Sequence, residues 1–409
     1  MSTLTTSLLF LSAVISYSTI TVSAVSVSSI VSQYGLTNSY NFTFPDQTLN
    51  SADANTWINN QWTLYNKKGV DWGNSDLVFS PDPSTSSSTI VRRQESSTSS
   101  SKSSTKSKTS SASTSSTTGT GTSTSTATTS VSSPLSTALN GQPPALRVEY
   151  PKGSYSKKTG GTQFYANPLT SSNAKVASSS GNSTTSGQYE RMMLSYDVWF
   201  PTGYAWNQGG KLPGLRGGPD ARGCSGGNET DGTTCFSTRL MWRSGGAGEV
   251  YAYIPTSQKG FCSQSQVTCN SDYGTSLARG SFSFVTGQWQ TIQLLVVLNE
   301  VGTANGIVEL WYNGIQALQF QNLVLRTSSN LNSVGGLFFS TFFGGDDQSW
   351  ATPTDQFTYY RNIQLFAGAG QSNLTGAKAT KSSAYLNTNL GVWSILGAVM
   401  MGLIGMSVL

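Results

Sequence analysis

Between residues 145 and 367 short segments repeatedly place apolar side chains at every second position. That is the period of a pleated strand, whose successive side chains point to opposite faces. Ala145–Tyr150 reads as the first strand, and Tyr196, Val198 and Phe200 alternate with Ser195, Asp197 and Trp199. Residues 290–299 are rich in β-branched and apolar residues, and 337–343 and 357–365 supply further strands. The runs 307–312 and 315–320 meet through Asn313-Gly314. Asn-Gly tolerates the positive φ angles of a type I′ turn, so this pair predicts a hairpin. No long stretch has the helical period. Many strands, turns drawn from 42 glycines and one contiguous region predict an all-β protein, an antiparallel β-sandwich of the jelly-roll kind.

That region is interrupted upstream. Residues 84–142 are mostly Ser and Thr with scattered Lys. They hold too little apolar surface to offset the entropy of ordering, which predicts a disordered, O-glycosylated insertion. Arg92-Arg93 reads equally as a dibasic processing site or as a stray basic pair. Five basic residues of this segment (Arg92, Arg93, Lys102, Lys106, Lys108) against Glu95 hold most of the net charge of +5. The remainder, 19 basic against 18 acidic residues, is close to neutral and argues against a nucleic-acid partner. Residues 25–83, with Trp57, Trp62 and Phe79, carry too little core to stand alone. We therefore expect one β domain, 25–83 followed by 143–368, broken by an overgrown loop whose closure costs little entropy.

Residues 1–24 read as a signal peptide cut after Ala24, although a basic leading segment is missing. A polar spacer, 369–390, precedes the uncharged tail 391–409. The tail predicts a GPI-attachment signal or a membrane helix, with attachment at Ser382, Ser383 or Ala384, or else at Asn373 or Gly376. Asn41, Asn182, Asn228 and Asn373 are Asn-x-Ser/Thr glycosylation acceptors. Cys224, Cys235, Cys262 and Cys269 form an even set. The simplest pairing is local, Cys224 with Cys235 and Cys262 with Cys269. These features together predict a secreted protein, held at the cell surface or cell wall by a GPI anchor.

Histidine is absent, which excludes Ser-His-Asp and Cys-His nucleophiles and imidazole acid-base pairs. No C-x-x-C motif occurs either, so no zinc site and no cofactor are expected. Acid-base chemistry falls to Tyr, Lys, Asp, Glu or Cys. Two neighbouring strands carry such groups. In 236–243, Phe236, Thr238, Leu240 and Trp242 make a core face, and Ser237, Arg239, Met241 and Arg243 make the other. In 249–254, Val250, Ala252 and Ile254 oppose Glu249, Tyr251 and Tyr253. The spacer 244–248 is short enough for a hairpin, which would put Ser237, Arg239, Tyr251 and Tyr253 on one open surface. Alternation alone reads that surface as ordinary solvated sheet.

The stretch Asp197-Val-Trp-Phe-Pro, then Gly209-Gly-Lys-Leu-Pro-Gly-Leu215, Ser237-Thr-Arg239, Tyr251-Ala-Tyr253 and Ser340-Thr-Phe-Phe-Gly-Gly345 resembles polysaccharide lyase family 14. The similarity runs over about 45–367 and includes 45–83 in the domain. It implies a β-jelly roll, alginate or glucuronan as substrate, and Lys211, Ser237, Arg239, Tyr251 and Tyr253 as the active-site set. The Ser/Thr insertion and the insertion holding Cys224 and Cys235 depart from the family pattern. On this resemblance a uronate polymer would be cut by β-elimination. Lys211 and Arg239 would neutralise the sugar carboxylate, and the tyrosines would serve as base and acid. A basic tyrosine requires a depressed pKa, which nearby cations would favour. Ser237 is expected to hydrogen-bond the substrate or a catalytic partner. The Gly-Gly-Lys-Leu-Pro-Gly context predicts a shaped loop around Lys211.

Two other readings compete. One is a non-catalytic carbohydrate-binding or cell-wall structural protein on the same fold, displayed on its Ser/Thr stalk. The other is a glycoside hydrolase, which needs a carboxylate pair for which Asp197 and Glu249 are the available candidates. Gly344-Gly-Asp-Asp347 reads as a turn rather than a calcium loop. Trp199, Trp206, Trp242 and Trp350 read as core or as sugar-stacking platforms.

Overall fold

A strand with one apolar face must hide it, and here two sheets do so against each other. The computed structural model describes residues 23–65, 69–85, 142–156, 159–170, 177–178, 187–220 and 222–379. Residues 1–22 of the expected signal peptide, most of the Ser/Thr-rich insertion, Asn182 and the apolar tail lie outside the described residues. Among the described residues no helix is long and apolar enough to cross a membrane.

In chain order the elements are α1 (Val27–Gln33), β1 (Asn38–Asn41), α2 (Ser51–Gln61), β2 (Leu77–Ser80), β3 (Ala145–Tyr150), β4 (Thr162–Ala166) and β5 (Ala177–Ser178). Then come β6 (Arg191–Trp199), β7 (Gly209–Gly217), β8 (Phe236–Arg243), β9 (Ala247–Tyr253), β10 (Val267–Thr268), β11 (Thr275–Ser283) and β12 (Trp289–Val297). The last are β13 (Thr303–Ala304), β14 (Gly306–Tyr312), β15 (Ile315–Leu323), β16 (Val334–Phe343), β17 (Gln356–Gly368) and β18 (Ala377–Lys378). One sheet runs β15-β14-β12-β6-β17-β1-β5, with β3 beside β17 and β2 beside β3. The other runs β10-β11-β9-β8-β7-β16-β4. All of these pairings are antiparallel, so the fold is the β-sandwich that alternation predicts.

Leu194, Tyr196, Val198, Leu212, Leu240, Trp242, Val250, Leu310 and Phe339 fill the space between the sheets. Trp62, Phe79 and Phe164 extend that core, so residues on both sides of the Ser/Thr-rich insertion share it. The segment before the insertion also brings two helices into a chain read as all-β. Ser26 and Asn50 cap them, each side chain accepting a backbone N–H of the first turn. Helix α1 lays Ile30 on the far face of the nine-stranded sheet, where Tyr34 and Leu36 join Met193, Leu295, Val297 and Trp311 in a second cluster. The second half of β12 is therefore covered on both faces, which is why Leu294, Leu295, Val296 and Val297 are all apolar and buried. Asn313 and Gly314 have φ of 52° and 76° and turn β14 into β15. Asn41, Asn228 and Asn373 are exposed.

The Gly-Gly-Lys-Leu-Pro-Gly run is not a loop. It is the interior of β7, between β8 and β16. Proline normally breaks a central strand because it lacks an N–H. Here the ladder slips on both sides of Pro213, between Leu212 and Leu215 toward β8 and between Phe338 and Phe342 toward β16. A bulge thus absorbs the missing donor. Gly214 permits it, since a Cβ there would lie 1.9 Å from the Thr238 carbonyl oxygen.

Candidate active site

The outer face of the seven-stranded sheet is built from the side chains that alternate with the core residues of β7, β8 and β9. Register brings them into rows. Lys211 stands opposite Met241, and Met241 opposite Glu249. Arg239 stands opposite Tyr251, and Ser237 opposite both Arg216 and Tyr253. The hairpin is the one expected, but the surface is not open. Lys211 is 8% exposed, Arg239 3%, Tyr251 6% and Tyr253 3%. They lie in or beside a cavity of about 710 Å³ walled by loops from the rest of the chain.

Lys211 Nζ donates to Met241 Sδ at 2.6 Å and lies 3.3 Å from the centre of the Tyr251 ring. The ring face favours the ammonium. Burial and the neighbouring Arg239 and Arg243 guanidiniums oppose it and prevail, holding the Lys211 pKa well below the ordinary lysine value. Arg239 stacks 4.4 Å over Phe338 and donates from Nη1 to Ser340 Oγ at 3.3 Å, while its buried Nε has no hydrogen-bond partner. Arginine keeps its charge in such surroundings. Neither Lys211 nor Arg239 belongs to any of the seven ion pairs among the described residues.

Both phenol oxygens accept a backbone N–H. Gly274 N donates to Tyr251 Oη at 2.9 Å and Gly227 N to Tyr253 Oη at 3.0 Å. The two rings meet edge-on at 5.7 Å. The expectation of a depressed tyrosine fails for Tyr251. Burial, then the charge of Tyr253 were it ionised, pushes its pKa up, and this outweighs the opposing Arg239 charge. Tyr251 is therefore a proton holder at neutral pH.

Ser237 shares the face but donates its hydroxyl proton to the Cys224 carbonyl at 2.6 Å. The Cys224–Cys235 and Cys262–Cys269 disulfides both form, in the local pairing. The first closes the loop that carries Gly227. A Cβ on Gly227 would lie 3.1 Å from the Asp272 carbonyl oxygen, so this loop packs on the 270–274 segment that carries Gly274. The insertion that departs from the family pattern is thus part of the wall around both phenols.

Reading strand by strand leaves out several wall residues. Glu249, fully buried, takes Arg243 at 2.6 Å, Arg279 at 2.6 Å and the Ser276 hydroxyl at 2.6 Å. Those bonds and charges outweigh burial and lower its pKa. Five basic residues line the cavity (Lys211, Arg222, Arg239, Arg243 and Arg279) against Asp71 and Asp346. Arg243 lay in plain view on β8, but Arg222 and Arg279 sit outside any alternating pattern pointing to the site. Trp350 lines the cavity, whereas Trp242 is core and Trp199 packs on Trp289 at 5.7 Å on the other sheet. The carboxylate pair of a glycoside hydrolase is not assembled. Asp197 lies on the outer face of the nine-stranded sheet, bound by Thr291, Arg361 and Asn362, and Glu249 lies on the outer face of the opposite sheet.

Fold and cavity together define a β-sandwich protein whose outer sheet face offers cations and phenols to an anionic ligand. The chain belongs to the polysaccharide lyase 14 family, whose model matches residues 138–363, and is a polysaccharide lyase. An alginate lyase from Aplysia kurodai is 39% identical over 56% of this chain and 85% of that chain, with a TM-score of 0.48. An alginate lyase from a Chlorella virus is 22% identical over 57% and 88%, TM-score 0.44. An endo-β-1,4-glucuronan lyase from the fungus Trichoderma reesei is 11% identical over 56% and 84%, TM-score 0.35. No curated protein matches the chain.

Proposed function

We propose that this chain cuts a uronic-acid polysaccharide of the alginate or glucuronan class by β-elimination, with Lys211, Arg239, Tyr251 and Tyr253 as its working groups. The observation that carries the reading is a pair of buried basic side chains in the cavity, Lys211 and Arg239, outside every ion pair among the described residues and beside two phenols. Burial supplies both halves of the chemistry here: it leaves Arg239 a charged guanidinium with no carboxylate partner, and it holds the Lys211 amine toward its neutral, proton-accepting form.

Arg239 pairs with the sugar carboxylate and stabilises the enolate-like charge that builds as the C5 proton leaves. Lys211, held toward its neutral form, accepts that proton. The C5–H electrons become the C4=C5 double bond, the C4–O bond breaks, and Tyr251 protonates the departing bridging oxygen. No water is consumed, and exchange with solvent returns Lys211 and Tyr251 to their starting forms. Tyr253, 3.0 Å from Gly227 N, flanks Tyr251 and holds the sugar by its hydroxyl. This assignment moves the base from tyrosine to lysine, because burial acts on the two in opposite senses: it favours the neutral amine and the protonated phenol.

The test is ultraviolet absorbance of the unsaturated product on incubation with glucuronan and alginate. Lys211→Ala should lower turnover by about 10²-fold or more. Turnover by the natural protein should rise with pH as the remaining Lys211 ammonium deprotonates, below the ordinary lysine range. A panel of polyuronates that yields no absorbance would sink the reading. We also propose secretion and display at the cell surface through a GPI anchor, supported by the apolar stretches at both ends and by exposed Asn41, Asn228 and Asn373. Release of the protein from cells by a phosphatidylinositol-specific phospholipase is expected, and retention after that treatment rejects the anchor.

A further inference from the structure

The acids of Gly344-Gly-Asp-Asp347 part company. Asp347 caps the short turn Gln348–Trp350 by accepting from Ser349 N. Asp346 accepts a 2.5 Å hydrogen bond from the Tyr273 hydroxyl. Tyr273 stands on the segment between β10 and β11, and Asp346 on the segment leaving β16. Strands β9, β8 and β7 lie between β11 and β16, and they carry Tyr251, Arg239 and Lys211.

Register displaces the two anchors along the strands as well. The start of β11, Thr275, is level with Ala252, Thr238, Leu215 and Leu337. Asp346 follows Phe343, which is level with Gly210 at the other end of β7. The bond therefore crosses the cleft diagonally, and both of its residues line the cavity. In a flat sheet four interstrand steps would hold the anchor strands about 19 Å apart. One hydrogen bond closes that gap, so the two segments meet across the cleft.

Tyr273 is 38% exposed and Asp346 is exposed. A solvated hydrogen bond is weak, which leaves the bridge open roughly one part in six. The geometry points to Tyr273 and Asp346 as a gate that selects polysaccharide by chain length. Short oligosaccharides thread beneath the bridge end-first, and interior segments of a long chain enter only when it opens. This inference rests on the proposed lyase reading for its substrate.

Tyr273→Phe removes the bond and keeps the ring. It should raise kcat/KM on a long polyuronate by up to about sixfold, the gain from a fully open gate, with little change on a short oligouronate. Asp346→Asn should move long-chain activity the same way by a smaller factor. Equal change on both chain lengths, or no change on the long one, overturns the gate while leaving the elimination chemistry standing. Association rates of labelled long and short polyuronates with Lys211→Ala protein, with and without Tyr273→Phe, read the gate without turnover. Faster association of the long chain alone supports it. Unchanged association, or no association of either chain, overturns it.

Discussion

On the outer face of the nine-stranded sheet, Arg361 stands between two carboxylates, 2.7 Å from Asp82 and 3.2 Å from Asp197. Asp82 is further held by Ser84 and the Trp289 indole N–H, and Asp197 by Thr291 and Asn362. On the outer face of the seven-stranded sheet, Glu249 is paired twice, but Lys211 and Arg239 stand outside every ion pair of the described residues. Both sheets obey one rule, an apolar face turned inward, so strand pattern does not separate them. They differ in what happens to charge on the other face. Around Arg361 the scaffold sheet neutralises its own ions. On the cavity floor the Arg239 guanidinium has no carboxylate beside it, a cost that an anionic ligand would offset.

The contrast is broken most directly at Arg239. Arg239→Met should lower turnover by about 10²-fold or more while leaving stability unchanged or higher, because it deletes an uncompensated buried charge. Denaturant unfolding beside the absorbance assay checks both halves. A loss of stability would make Arg239 a scaffold residue and erase the difference between the faces. Replacing Cys224 and Cys235 together by Ser opens a loop with a sequence separation of 11. Up to about 3 kcal/mol of stability should go with it on chain-entropy grounds. Turnover should fall too, since Gly227 N no longer holds Tyr253 in place. A stability loss with full activity would show that the loop merely staples the fold. The smallest effect is expected on the other sheet. Arg361→Met leaves Asp82, 4% exposed, without its cation and should cost about 1–2 kcal/mol with turnover untouched. Altered turnover there would mean that the two faces communicate.

Much of the site was legible strand by strand. Alternation in 236–243 and 249–254 places Arg239, Tyr251 and Tyr253 on one face, and family resemblance adds Lys211. What misled was the context each strand finds in three dimensions. The run around Lys211 looks like a loop because Pro and Gly usually break strands, yet paired bulges keep it in the sheet. The tyrosines look ionisable because cations adjoin them, yet burial dominates for Tyr251. Ser237 looks available, yet a carbonyl brought in by the Cys224–Cys235 loop takes its proton.

Side-chain period and turn chemistry are local properties, carried by residues a few positions apart. The sequence by itself therefore determined the strands, the hairpin at Asn313-Gly314 and the burial of one face of each sheet. Burial, pairing and enclosure depend on what stands across the cavity, supplied by segments distant in the chain. Only the tertiary structure decided that the solvated-looking face is a cleft, that Lys211 and Arg239 meet no carboxylate among the described residues there, and that Tyr273 reaches Asp346 over the top.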